Sequence, residues 1–239
     1  KILYSIRIQD IEDKYKDFFI CALSNVLKPV SRWLTKSIKP QKDPNKEKID
    51  VYEALDIQVK IMLKANKEIN DIKNFSSKSS IVTANFLELD SKTVNADLVI
   101  TSPPYVTSYE YADLHQLSTL VLNYTDDYKH LRKGTIGSVL TTEFNTDLVN
   151  SVHHIGRNIY WELYKVDKSK ARSVAKYFVD IDKCVSRIYD MLNNDGYCIL
   201  VIGNTNYKGI EIDNASVLIN SLNDKGFKDI EITQRKISG

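Results

Sequence analysis

Residues 96–116 read "ADLVITSPPYVTSYEYADLHQ". The first six, "ADLVIT", are short, apolar and β-branched, as expected of a strand in a parallel sheet covered on both faces. The strand ends in Ser102-Pro103-Pro104-Tyr105. Ligands of open α/β sheets bind beyond the carboxyl ends of the strands, so position alone makes this tetrapeptide a site candidate. Two successive prolines remove two N–H donors, hold φ near about −65° and keep Ser102 and Pro103 out of helical conformations. The loop is therefore stiff, rich in carbonyl acceptors and poor in donors. It suits a substrate group with only hydrogens to give, such as the exocyclic amine of a nucleobase. Ser102 Oγ and the Pro103 carbonyl can each accept one amine hydrogen, and Tyr105 offers a flat face on which a base can stack. The same turn also reads as a rigid exit from a sheet and nothing more, and spacing alone does not choose.

Working outward, "SIVTANFLELD" (80–90) reads as a second short strand and 108–123 as a helix, followed by the glycine-containing connection "HLRKGTIGSVL". Helical periodicity covers about 145–165 and 168–193, the latter with Val174, Phe178, Ile181, Val185, Ile188 and Leu192 on one face. "NNDG" supplies a glycine stop, "YCILVIG" a buried strand, 213–225 a helix stopped by Gly226, and "FKDIEITQRKI" a last strand. Strands alternating with long helices imply an α/β doubly wound sheet. Ahead of it lies a helical lead-in, residues 1–79, with 80–239 as the core and 124–175 a strand-poor candidate for target recognition. In the lead-in, Tyr15 to Val30 follow helical spacing with Pro29 ending or kinking the helix. "KSIKPQKDPNKEK" reads as a solvated loop, and Asp50 caps a helix to about Asn70 that buries Leu55, Val59, Met62 and Leu63.

Composition sets outer bounds. The chain has 239 residues, 43% hydrophobic and 27% charged, which excludes a wholly disordered protein; a net charge of +2 gives no global case for nucleic acid. Cys21, Cys184 and Cys198 are odd in number and widely spaced, as expected of reduced core residues in a cytoplasmic protein. The four histidines form no zinc-ligand spacing, so no metal is expected. No unbroken apolar run reaches the roughly 18 residues of a membrane helix, and no signal-peptide pattern is visible.

"DLVITSPPYVTSYEYADLHQLSTLVL" resembles the catalytic motif and following helix of S-adenosylmethionine-dependent DNA amino-methyltransferases, which modify cytosine N-4 or adenine N-6. In that family the motif reads Asp/Asn/Ser-Pro-Pro-Tyr/Phe/Trp, with serine commoner among the cytosine enzymes. "FFICALSNVLKPVSRW", "RKGTIGS" and "YFVDIDKCVSRIYDMLNNDGYCILVIGN" extend the resemblance along most of the chain. The resemblance implies a Rossmann-like methyltransferase sheet, restriction-modification chemistry on double-stranded DNA, and a target base flipped out of the duplex. It assigns Ser102, Pro103, Pro104 and Tyr105 to catalysis.

The resemblance also implies a cofactor site, which in the family rests on a Phe-x-Gly-x-Gly-like turn after the first strand and an acidic residue ending the second. No glycine precedes Gly134, so that turn does not stand ahead of the catalytic strand here, and the site is incomplete in this chain. What corresponds to it is the third-strand end, where Asn85 can accept from the adenine amine and Phe86 can pack on the ring, with Thr101 nearby in the motif strand; an ordinary strand-end turn is the plain alternative. In the family's sheet the missing strands lie between "SIVTANF" and "ADLVIT", whose backbone groups would otherwise be unsatisfied. The sequence, beginning at Lys1, is therefore expected to be a later portion of a longer polypeptide or half of a split enzyme, with a companion carrying the glycine-rich turn. The alternative is a rearranged sheet that binds no cofactor.

For DNA contacts, His130, Arg132 and Lys133 beside the glycines of "HLRKGTIGS" are the leading candidates, and Lys39 and Lys42 stand for the basic stretch 28–48. Two rival functions fit the same residues: an RNA guanine amino-methyltransferase, and a nucleic-acid-binding subunit that has lost the cofactor loop.

Overall fold

A computed structural model describes residues 1–34, 36–37, 41–72, 78–106, 111–137, 145 and 147–235. The chain divides into two compact units, one comprising Lys1–Ile81 and Tyr109–Leu131, the other Val82–Ser108 and Arg132–Gly239. The motif strand thus falls in the second unit and the helix after it in the first.

The first unit is helical: α1 (Ile2–Arg7), α2 (Asp13–Val30), α3 (Val51–Ile72) and α4 (Tyr111–Val121). Ile6, Leu23, Val26 and Leu122 form its core. Two polar ties fix the helices: Arg7 Nη2 donates to the Leu122 carbonyl at 2.7 Å, and Ser24 Oγ to Ser118 Oγ at 2.9 Å. Pro29 lies in the last turn of α2, which ends one residue later. Asp50 caps α3 as its position requires, its Oδ1 accepting the Tyr52 and Glu53 amides at 2.9 and 3.0 Å. The face of α3 expected to be buried is not: Leu55, Val59 and Met62 are half-buried and Leu63 is exposed.

The loop after α2 is also more built than a solvated stretch. Trp33 and Lys42 form an antiparallel bridge, and Lys46 Nζ donates to the carbonyls of Lys28 and Trp33 at 2.9 and 2.8 Å. Lys28 Nζ donates to the Ser37 carbonyl at 2.8 Å. Two of the basic side chains thus hold the loop together.

The second unit is organised on one long amphipathic helix. Its elements are β1 (Ala96–Thr101), α5 (Asp147–Asn150), α6 (His154–Val166), α7 (Lys168–Met191), β2 (Leu192–Leu200), β3 (Thr205–Tyr207), β4 (Ile210–Ile212) and α8 (Asn214–Lys225). Val174, Phe178, Ile181, Val185 and Ile188 of α7 are buried, as the periodicity requires, against Ile159, Tyr160 and Leu163 of α6 and Val217, Leu218 and Leu222 of α8. Asp213 caps α8 and Gly226 ends it in the left-handed conformation, φ +99°.

The sheet is smaller than a doubly wound fold requires. Among the described residues β1 pairs in parallel with β2 alone, and β3 and β4 form a separate hairpin. Three expectations are corrected. Residues 80–90 hold no strand; Ile81 is almost fully exposed, and a strand needs a neighbour to take its backbone bonds. Residues 227–235 hold none either. "NNDG" does not stop α7. The helix ends at Met191 with Leu192 already extended, and Asn193 to Gly196 bulge out of the ladder between the pairs Ala96–Leu192 and Leu98–Tyr197. Asp195 takes φ +63° there. What remains is a mixed helix and strand architecture with one small parallel pair.

Candidate active site

The parallel pairing puts the Ser-Pro-Pro-Tyr turn beside the end of β2. Thr101 pairs with Leu200, and the Val201 amide donates to the Thr101 carbonyl at 3.0 Å, carrying the ladder one residue past β2. Ser102 Oγ then donates to the Val201 carbonyl at 3.0 Å. A hydroxyl has one hydrogen and two acceptor lone pairs. With the hydrogen committed to Val201, Ser102 faces a substrate only as an acceptor. Pro103 and Pro104 are half-buried and bring no N–H, Tyr105 is 37% exposed, and Val106 anchors the turn in the buried core. The turn is held by Ser102 at one end and Val106 at the other, with Ser102 and Tyr105 exposed and the two prolines half-buried between them.

The Val201 carbonyl was not identifiable as a partner of Ser102 from sequence. The signal was only indirect, in the reading of "YCILVIG" as a strand of the same half. Strand order and register, not composition, bring the two together.

Asn85 sits in a tight turn whose backbone it stabilises. Its Oδ1 accepts the Leu87 amide at 3.1 Å, leaving one lone pair on that oxygen, and its Nδ2 donates to Glu88 Oε1 at 2.8 Å. Phe86 is half-buried beside it, and Arg187 Nη2 fastens the turn by donating to the Leu87 carbonyl. Gly134 approaches the same turn: a Cβ there would lie 3.9 Å from Asn85 Nδ2. These residues offer an acceptor and a ring edge for an adenine. No glycine-rich turn stands beside them, so they match at most the adenine end of a nucleoside cofactor.

The glycine segment after α4 is anchored, not loose. Gly137, at φ +78°, donates its amide to Asp180 Oδ2 at 3.0 Å, and Ser173 Oγ donates to its carbonyl at 3.0 Å. Asp180 is 1% exposed and pairs with Lys176 one helical turn earlier. A side chain at 137 would meet Tyr177 Cβ at 3.1 Å. The DNA-contact candidates divide between the units. Lys42 and His130 are exposed in the first, whereas Arg132 is half-buried and Lys133 exposed in the second. Lys39 lies outside the described residues.

Among the described residues there is no cluster of histidine, cysteine or acidic side chains suited to a metal ion, and no helix long and apolar enough to cross a membrane. Cys184 is buried and its thiol is pushed up to about 11, by burial first and by the neighbouring Asp180 charge second. It is not an activated nucleophile.

Comparison with known proteins gives one direction. The chain is similar to a type II methyltransferase. That protein, M.MvaI of Kocuria varians, is 22% identical over 223 residues, which cover 84% of this chain and 49% of the relative. The chain thus spans about half the length of the curated relative it matches. No protein-family model matches, and no solved structure does.

Proposed function

We propose that this chain is the catalytic portion of a DNA methyltransferase that modifies the exocyclic amine of a flipped base, cytosine N-4 ahead of adenine N-6. The observation that carries the reading is the commitment of the Ser102 hydrogen to the Val201 carbonyl, next to two prolines without N–H. The similarity to a type II methyltransferase supports it independently.

An exocyclic amine is a poor nucleophile because its lone pair is conjugated with the ring. Ser102 Oγ and the Pro103 carbonyl accept its two hydrogens and favour a pyramidal nitrogen whose lone pair projects away from the base. Pro104 keeps the loop from relaxing, and Tyr105 supplies a stacking face that offsets part of the few kcal/mol spent on flipping. Bound S-adenosylmethionine supplies the electrophilic methyl group. When it is bound, Asn85 Oδ1 would accept from its adenine amine, and Phe86 and Thr101 would border it. After transfer the methylated nitrogen carries a positive charge and loses one of its two hydrogens as a proton. The catalysis is positioning and electrostatic complementarity, with no covalent intermediate on the protein. Ser102 is a neutral acceptor, weaker than a carboxylate, and this favours cytosine.

His130, Arg132, Lys133, Lys39 and Lys42 contact the duplex, and the segment 124–175 takes part in target recognition. The cofactor site is completed by a polypeptide carrying a glycine-rich turn. The apolar face formed by Leu98, Ile100, Tyr197, Ile199 and Val201 supports this, because it lies exposed where parallel strands are ordinarily covered.

The test is product identity. The complete native enzyme that contains this sequence, given methyl-labelled cofactor and duplex DNA, should yield N4-methylcytosine or N6-methyladenine on digestion to nucleosides. Label in RNA alone, or on a ring carbon, would contradict the proposal.

A further inference from the structure

The second unit carries a basic and aromatic surface away from the Ser-Pro-Pro-Tyr turn in sequence. The β3–β4 hairpin turns at Lys208 and Gly209, with φ +49° and +85°. Two left-handed residues are what a two-residue hairpin of the right twist demands, and the turn leaves Lys208 exposed at the tip. Tyr207 is fastened to the junction of α6 and α7. Its hydroxyl donates to Asp167 Oδ2 at 2.7 Å, while Asp167 Oδ1 accepts the Lys170 amide at 2.9 Å and caps α7.

Three ammonium groups gather on two rings. Lys168 Nζ stands 5.3 Å from the Tyr164 ring centroid, and Lys170 and Lys208 stand 5.2 and 5.5 Å from that of Tyr207. A ring face orients a cation without cancelling its charge, whereas a carboxylate would do both. None of the three makes an ion pair among the described residues; both oxygens of Asp167 are engaged by the Lys170 amide and the Tyr207 hydroxyl, and it acts on Lys208 only through its charge at longer range. Lys165 and Arg172 are exposed on the flanks, and Trp161 continues the aromatic row 5.6 Å from Tyr164. Cations held in place by ring faces, with spare N–H donors, match a row of phosphates.

We infer that Lys168, Lys170 and Lys208, set around Tyr164 and Tyr207, grip the phosphate backbone of duplex DNA flanking the target base. The inference rests on the methyltransferase reading above and adds a second, sequence-independent contact to it.

The test is the salt dependence of duplex binding by the native enzyme, wild type against the triple variant Lys168→Gln, Lys170→Gln, Lys208→Gln. Each lost phosphate contact should lower the slope of log affinity against log salt by about 0.9. The triple variant should therefore lose about 2 to 3 from the slope and bind at least tenfold more weakly at about 0.1 M salt. Arginine at the same three positions should keep the wild-type slope. An unchanged slope in the glutamine variant, with wild-type methyl transfer intact, overturns this inference alone. A loss confined to RNA or single strands also overturns it. Absence of methyl transfer to DNA by the wild type overturns the underlying reading and the inference with it.

Discussion

At the scale of single residues, the site works by subtraction. Proline removes two donors and the Val201 carbonyl occupies a third, so the turn at the end of β1 presents acceptors and a ring. Tyr105 tests the ring's part. Replacing it with alanine should weaken binding of duplexes with a mismatched, easily flipped target by about 1–3 kcal/mol, the usual worth of base stacking, and should lower turnover. Fluorescence titration with a 2-aminopurine target measures this, and unchanged affinity would remove Tyr105 from the pocket. The properties of Ser102, Pro103, Pro104 and Tyr105 were legible in the sequence because they are covalent: a missing N–H is missing in any fold. The partner of Ser102 was not, because a carbonyl belongs to every residue and only the register of β1 on β2 selects that of Val201.

At the scale of elements, close helix contact and one clasp hold the second unit. Gly156 lets α6 lie on α7; a Cβ there would stand 2.5 Å from Val152 Cγ1 and 2.9 Å from Phe178 Cδ2. Gly156→Ala should therefore cost about 1–3 kcal/mol in denaturant unfolding, and a neutral result would mean that the two helices can separate without loss.

The clasp of Tyr207 on Asp167 should depend on pH. The Lys170 amide first, and the Tyr207 hydroxyl second, hold the Asp167 carboxyl below its ordinary range. A lowered carboxyl pKa gives stability that is present above the unfolded value and lost as pH falls through the folded one. Tyr207 is raised, chiefly by its bond to Asp167, so its share is lost only as pH climbs through tyrosine ionisation. The protection factors of hairpin amides, taken relative to the intrinsic exchange rate at each pH, should fall at the acid end in wild type, and in Asp167→Asn that fall should disappear. The same acid response in both proteins would contradict the assignment.

Helix periodicity made α7, α8 and the Asp50 cap readable. The strand expected at 80–90 was not found, because β-branched composition describes a residue's tolerance for a pleated surface and says nothing about whether a neighbouring strand is there to pair with. Gly196 misled for a related reason. It serves a bulge in which its Cβ would meet the Asn193 carbonyl at 2.9 Å, not a helix terminus.

At the scale of the whole molecule, both strands of the parallel pair were legible in the sequence, whereas the wider sheet expected around them is not found among the described residues. α7 contacts β2, and Val99, Cys198 and Leu200 are half-buried, while the alternate residues remain exposed, Ile100 at 65% and Tyr197 at 73%. A pair of parallel strands with one bare apolar face, and no glycine-rich turn ahead of it, is poorly equipped to hold a nucleoside cofactor. Residues 1–239 by themselves should bind S-adenosylmethionine weakly or not at all, and a micromolar calorimetric signal from them would contradict the proposed division of the cofactor site. The central claim, that Ser102 acts as a hydrogen acceptor for the target amine, is tested most directly by single-turnover methyl transfer in the complete native enzyme carrying Ser102→Ala, with DNA and cofactor both saturating. The rate should fall by about 10²-fold or more, in line with the loss of one preorganised hydrogen-bonding group, while DNA affinity stays within about twofold of wild type. Transfer at the wild-type rate would contradict the claim.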